Sequence, residues 1–311
     1  MDISIILSTS RRPQILSRTL QSFAELNTEY LQWEIVLVDN ADDAETRQLA
    51  AEFVESLLPL TYIIEARVGK NFALNTAIPK AKGSLLVFTD DDILADPDWL
   101  VRIWEGAKRW PNHSVFGGKI LPNFPTEDVT FDIENRLVKS ALVIADWKLP
   151  EGEYKPSMVW GPNFAVRSCV LENGFRFNPD FGPNSGRYLM GDETEFLYRL
   201  DQAGHTPVYL PEALVHHQIR PEQLSMEWLR RRVAAYGGTF AFMSGLPHSP
   251  LLFGVPRYMY SQTLQAFLHY LRSRLFSDDK TRFESELMYW YRKGMLLQYW
   301  IGVPKEKVIV Y

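Results

Sequence analysis

Three consecutive carboxylates, Asp90-Asp91-Asp92, close the apolar run Ser84-Leu85-Leu86-Val87-Phe88. Carboxylates packed this closely repel one another, and a folded chain tolerates them best with a cation among them. The competing reading is a solvated acidic turn, with Asp96-Pro97 merely starting a helix. A second acidic pair, Asp192-Glu193, stands just before the helical apolar residues Phe196, Leu197 and Leu200. One of the two could take a proton from an attacking hydroxyl, or both could serve as acidic first-turn residues of a helix. His216-His217 adds two imidazoles, each either a ligand or a polar residue under a loop.

These groups need a scaffold, and the first hundred residues supply one. Ile3 to Leu7 reads as a strand, and Pro13 opens a helix through Ile15, Leu16, Leu20 and Phe23. Glu34 to Val38 is a second strand ending at Asp39-Asn40, Ala44 to Leu57 has helical periodicity, and Thr61 to Glu65 is a third strand. Lys70 to Lys80 suits a helix and Ser84 to Phe88 the fourth strand. The alternation implies an α/β fold with a mostly parallel sheet. Ligands bind at the carboxyl ends of such strands. That edge would gather Thr9-Ser10-Arg11, Asp39 and Asp90-Asp91-Asp92.

From about 115 to 220 the chain is broken by Pro122, Pro125, Pro150, Pro156, Pro162, Pro179 and Pro183. Such a stretch suits loops around a substrate better than a second periodic sheet. Ser225 reads as the N-cap of a helix through Trp228, Leu229 and Val233 to Gly237-Gly238. From about 245 the composition turns to aromatic-rich, basic helices. Residues 251–311 carry nine Lys/Arg against five Asp/Glu, in a chain of net charge −5. That net charge argues against a nucleic-acid partner. A single cysteine, Cys169, leaves neither a disulfide framework nor a thiolate metal site. The opening segment lacks the basic start of a secretion signal, and no apolar run approaches ~18 residues. The expected location is cytoplasmic.

Seven segments, in order, resemble the motifs of the family 2 inverting glycosyltransferases. Ile5-Ile6-Leu7-Ser8-Thr9-Ser10-Arg11-Arg12-Pro13 is similar to their opening strand and turn, and Val36-Leu37-Val38-Asp39-Asn40 to their second strand. Gly69-Lys70-Asn71-Phe72-Ala73-Leu74-Asn75 resembles the G-K-x-x-A-L-N helix start, and Phe88-Thr89-Asp90-Asp91-Asp92 the D-x-D element. Gly161-Pro162-Asn163-Phe164-Ala165-Val166-Arg167, Gly191-Asp192-Glu193-Thr194-Glu195-Phe196 and Pro211-Glu212-Ala213-Leu214-Val215-His216-His217 complete the set. The resemblance runs from residue 3 to about 240.

It implies a GT-A type, Rossmann-like sheet flanked by helices, with a C-terminal helical extension. Residues 1–245 would be catalytic, 1–115 holding the nucleotide and 116–245 the donor sugar and acceptor, with 246–311 the extension. The implied reaction moves a sugar from a nucleoside-diphosphate donor, a UDP-sugar being the leading candidate, to a hydroxyl of a glycan, lipid-linked or other acceptor. Mn2+ or Mg2+ would neutralise the departing diphosphate, held by Asp92, with Asp90 nearer the ribose or a bound water and His217 as a further ligand. Thr9, Ser10, Arg11, Asp39, Lys70, Asn75, Asp90 and Asp91 would line the nucleotide, Asp39 meeting the base; Arg67 is a weaker candidate for the diphosphate. Trp160, as a stacking platform or a core aromatic, and Asn163 would border the sugars.

The chain departs from the family at the base, where the usual order is Glu then Asp. Position favours Glu193 and residue type favours Asp192; Glu193 is the stronger reading. Arg230-Arg231-Arg232 stands where processive synthases carry Q-x-x-R-W, so a polymerising synthase is disfavoured. Two alternatives stand beside the transferase: a sugar-nucleotide pyrophosphorylase, which would need a glycine-rich loop after the first strand, and a non-catalytic glycan- or nucleotide-binding descendant. The C-terminal helices suit peripheral association with the inner face of a membrane, packing on the catalytic domain, or a homodimer.

Overall fold

The computed structural model describes residues 1–56, 58–126, 129, 131–182 and 190–308. They divide into two compact units: one takes in the described residues of 1–123, 144–187 and 192–218, the other those of 124–143, 188–191 and 219–311. The grouping differs from the expected divisions at 115 and 245, because the helix that ends at Ser244 goes with the C-terminal helices.

The first unit begins as an alternation: β1 (Ile3–Thr9), α1 (Pro13–Ala24), β2 (Trp33–Asp39), α2 (Ala44–Glu55), β3 (Leu60–Ile64), α3 (Lys70–Ala77) and β4 (Leu85–Asp90). Continuous β-branched and aliphatic runs make β1, β2 and β4 buried on both faces, as a parallel sheet covered by helices requires. Helix α1 starts on Pro13, whose missing N–H costs nothing at a first turn. Helix α2 starts on the Asp43 side chain, which accepts from Thr46 N at 3.0 Å. Leu57, expected in α2, lies outside the described residues.

The proline-broken middle does not stay as loops. It contributes β5 (Ile93–Ala95), α4 (Trp99–Arg109), β6 (Val115–Asn123), α5 (Arg136–Leu142), β7 (Gly152–Glu153), β8 (Phe164–Arg167), α6 (Ser168–Glu172), α7 (Asp192–Gln202) and β9 (Pro207–Gln218). The strands join the first sheet, in the order β3-β2-β1-β4-β8-β6-β9-β5 with β7 on β9. The β3-β2-β1-β4 half is parallel, whereas β8 runs antiparallel to β4 and β6. Most of the prolines sit in the connections, Pro122 lies near the end of β6, Pro207 opens β9 and Pro211 falls where β9 shifts register against β6, which is why periodicity is lost there. Pro183 lies outside the described residues. The core of this unit stacks Phe88 on Phe164 and Phe177 on Phe196 between sheet and helices.

The second unit adds α8 (Met226–Ser244), the short hairpin β10 (Leu251–Leu252) and β11 (Val255–Pro256), α9 (Arg257–Phe276) and α10 (Asp279–Ile301) to α5. Ser225 caps α8 as expected, through Trp228 N at 3.2 Å. Gly237-Gly238 does not end the helix. A Cβ at Gly237 would collide with Tyr291 O and one at Gly294 with Ala234 O, so α8 and α10 touch backbone to backbone there.

Candidate active site

The carboxyl ends of β1, β2 and β4 lie in register, Thr9 beside Asp39 and Ser8 beside Asp90. The chain turns sharply there: Arg11 and Asp42 take left-handed backbone at φ 53 and 51, a conformation that costs a non-glycine residue on the order of 1 kcal/mol.

The acidic triplet splits three ways. Asp91 is fully buried and belongs to the framework, accepting from Thr9 Oγ1 at 2.6 Å and from the Arg12 guanidinium, while its main-chain oxygen accepts from Thr19 Oγ1 at 2.7 Å. Thr9, its partner, expected with it along the nucleotide, is buried too. Burial pushes the Asp91 carboxyl up to about 7 despite the opposing charge of Arg12. Arg12 also donates to Asp92 Oδ2 at 3.2 Å. Burial works against its charge, but Asp91, Asp92 and Asp90 more than offset this and hold it above its usual range.

Asp92 precedes β5, which pairs with β9 so that Ile93 faces His217 and Gln218 N donates to Asp92 O at 2.8 Å. That pairing brings His217 Nε2 within 3.6 Å of Asp92 Oδ1, both largely buried. A carboxylate oxygen and an imidazole nitrogen so close fit one divalent ion. Among the described residues no group of three or more His, Cys, Asp or Glu side chains forms such a site. Asp90 Oδ1 accepts from Lys70 Nζ at 2.6 Å. Further positions on an ion would fall to phosphate and water. His216, one residue off on β9, points to the opposite face, and burial lowers its pKa.

Lys70 begins α3, after Gly69 at φ 138, and reaches both Asp90 and Glu193 Oε1, the latter at 2.5 Å. Burial disfavours the ammonium, yet the charges of Asp90, Glu193 and Asp192 hold its pKa well above the usual value. Burial raises Asp192 well above the carboxylate range, and the Glu193 charge adds to this. For Glu193 burial acts the same way, but the Lys70 charge and hydrogen bonds from Asp192 and Lys70 bring it below its usual value. Within this pair the shifts run in opposite directions, up for Asp192 and down for Glu193. A Cβ at Gly161 would collide with the Glu193 carboxylate, so glycine leaves it room.

Other expected site residues are placed as framework. Asp39, expected at the nucleobase, is fully buried, accepting from Ala41 N at 2.9 Å, Asp43 N at 2.7 Å and Tyr62 OH at 2.7 Å. Asn75 exchanges both amide hydrogen bonds with the main chain of Phe177. Asn163, fully buried, accepts from Trp99 Nε1 at 2.9 Å and donates to Lys119 O and Ala213 O at 2.8 Å, which fixes the bulge where β6 shifts register against β9. Arg67 is committed to Glu65, whose carboxyl these hydrogen bonds bring down to about 2. Ser10 and Arg11 are exposed at the site edge, and Trp160 is half-buried against Trp147 at 5.3 Å. Sequence reasoning missed Arg12 and Gly161. Both lay inside quoted motifs, but their partners are 79 and 80 residues away for Arg12 and 32 for Gly161.

The sequence model of glycosyl transferase family 2 matches residues 4–167. The succinoglycan biosynthesis protein ExoM of Rhizobium meliloti is 27% identical over 261 residues, which span 81% of this chain and 75% of that protein. A mannosyltransferase of Pyrobaculum calidifontis, solved with GDP-Man and Mn2+, aligns at TM-score 0.66 and 18% identity over 96% of this chain and 87% of that one. TarS of S. aureus, solved as residues 1–349 with UDP-GlcNAc, aligns at 0.54 and 17% over 89% and 74%. The sheet and its crossover order are those of a GT-A fold, and the chain belongs to glycosyl transferase family 2.

Proposed function

We propose that this glycosyltransferase moves a sugar, with inversion, from a nucleoside-diphosphate donor to a hydroxyl of a glycan or lipid-linked acceptor, in polysaccharide assembly. The observation that carries the reading is the charge placement around Lys70: an ionised Glu193 on one side and Asp90 on the other, beside the Asp92–His217 pair.

In the reaction the acceptor oxygen forms a bond to the anomeric carbon as the bond from that carbon to the β-phosphate oxygen breaks. The electron pair leaves with the nucleoside diphosphate, and the hydroxyl proton passes to Glu193. Attack opposite the leaving group inverts the centre. Glu193 suits the task because Lys70 keeps it charged, while Asp192 holds its orientation by hydrogen bonding. Lys70 is the cation best placed to meet phosphate charge. Asp92 and His217 would hold Mn2+ or Mg2+, the nitrogen donor favouring Mn2+; when bound, the ion supplies positive charge to the departing diphosphate. Trp160 stands next to Gly161 and is the candidate acceptor platform.

Asp39 carries hydrogen bonds within the fold, and the solved relatives with UDP-GlcNAc and GDP-Man make UDP- and GDP-sugars the first donors to try. Incubation with a panel of both, with Mn2+ and glycan acceptors, and NMR of the product anomer tests the reading. Transfer with inverted configuration is expected; a retained configuration, or pyrophosphate-dependent nucleotidyl exchange, contradicts it.

A further inference from the structure

We propose that α9 seats this protein on an anionic lipid surface through an exposed stripe of leucines. Leu264, Leu268, Leu271 and Leu275 follow helical spacing along one line of α9 and are 56%, 55%, 41% and 75% exposed. The opposite side of the helix is already packed. Met259, Thr263 and Ser273 are buried, and Phe267 and Tyr270 lie against Tyr289 at 5.2 and 5.9 Å. The stripe is therefore left over from folding.

Hydrogen bonds extend the patch beyond the helix. Tyr260, one turn before Leu264, donates its hydroxyl to Leu252 O at 3.0 Å and accepts from Trp300 Nε1 at 2.9 Å. The hairpin turn carries Phe253, 86% exposed at φ 50, and the end of α10 carries Trp300 and Ile301, also exposed. From Tyr260 to Leu275 the line runs about 22 Å along the helix axis. Single exposed leucines are ordinary on a protein surface; a contiguous line of this length is not.

Charge identifies the occupant. Helix α9 carries Arg257, Arg272 and Arg274 and no Asp or Glu, within a chain whose net charge is −5. A leucine line with flanking arginines, and Trp and Tyr at its rim, matches the headgroup boundary of an anionic bilayer, where apolar insertion and Coulomb attraction act together. A second copy in parallel two-fold contact along this stripe would bring Arg272 and Arg274 toward their own counterparts, like charges together. Among the described residues no helix is long and apolar enough to cross a membrane, so the association would be peripheral.

Flotation of the full chain with phosphatidylcholine vesicles, with and without phosphatidylglycerol, tests the inference without any activity measurement, so it stands or falls separately from the catalytic reading. Wild type is expected to float with the anionic vesicles at low salt and to be released as salt screens the arginines. The double variants Leu268→Ser with Leu275→Ser, and Arg272→Glu with Arg274→Glu, should each lower the partition coefficient about tenfold or more. Their melting temperatures should match wild type, since all four side chains are exposed. Absence of wild-type flotation at low salt overturns the inference, as does equal flotation on neutral vesicles. A concentration-dependent dimer in sedimentation that the leucine variant abolishes, with no vesicle binding, would assign the stripe to a second copy.

Discussion

Lys70 binds Glu193 at 2.5 Å, joining the start of α3 to the start of α7 across 123 residues. The same ammonium lies 2.6 Å from Asp90, so one buried cation sets the charge of the candidate base and of the strand-end carboxylate together. Removing it should uncouple them. In Lys70→Ala, Glu193 loses the attraction that keeps its pKa low while burial remains, so its pKa rises. A base must be deprotonated to act; the rate falls as pH drops through its pKa. The acid limb of kcat/KM should therefore move to higher pH in the variant, with a loss of about 10²-fold at neutral pH. A pH–rate profile with an unmoved acid limb would show that Lys70 does not tune Glu193.

Glu193→Gln keeps the size of the side chain but cannot take a proton. It should lower kcat about 10²- to 10⁴-fold with donor affinity retained. Asp192→Asn should cost less, because Asp192 is buried and lacks the ammonium of Lys70, which bonds Glu193 directly. Steady-state kinetics alongside donor titration checks both; the reverse ranking would move the role of base to Asp192.

Gly161→Ala tests positioning in a different way. Its new Cβ meets the Glu193 carboxylate, a flexible end that can swing aside, so the fold should survive with a nearly unchanged melting temperature. Displacing a reacting group by about an ångström can cost on the order of 10²-fold, and kcat should fall on that scale. Wild-type turnover in Gly161→Ala would mean that Glu193 need not sit where it does.

Much of this was legible in the sequence. Apolar runs gave β1, β2 and β4, while Pro13 and Ser225 marked helix starts as physics requires of them. What sequence could not show is burial. Asp39, Asp91, Asn75 and Asn163 stand at strand ends or in motifs where polar residues often face ligands, yet here each spends its side chain on the main chain or on a buried partner. Gly237 read as a helix stop because a close helix crossing, its actual reason, depends on Tyr291. Arg12 was hidden for the same reason, since its partners, Asp91 and Asp92, come from the turn between β4 and β5.

That crossing gives a stability prediction. Gly294→Ala puts a methyl group into Ala234 O, where backbone, not a flexible side chain, must yield. A loss of about 1–3 kcal/mol is expected, read by chemical denaturation. Unchanged stability would mean that α8 and α10 are not in contact there.

Glu65 gives a pH-dependent one. Its folded pKa of about 2 lies below the ordinary value of 4.5, through hydrogen bonds from Arg67 and Thr76. The stabilisation is thus fully present above about 4.5 and is lost as pH falls through about 2. Glu65→Gln should lower stability by on the order of 1 kcal/mol at neutral pH, and melting curves of the two proteins should converge as pH falls through that window. A constant gap would place the effect in packing.

The central claim is that the strand-end carboxylates and His217 form a metal-assisted donor site served by Glu193. Calorimetric titration of UDP- and GDP-sugars into wild type and Asp92→Asn, with Mn2+ and with excess chelator, tests it most directly. One donor class should bind wild type at least about tenfold more tightly with Mn2+ than with chelator, and Asp92→Asn should abolish that difference. Equal binding in chelator and Mn2+, or an unaltered metal effect in Asp92→Asn, would contradict the account.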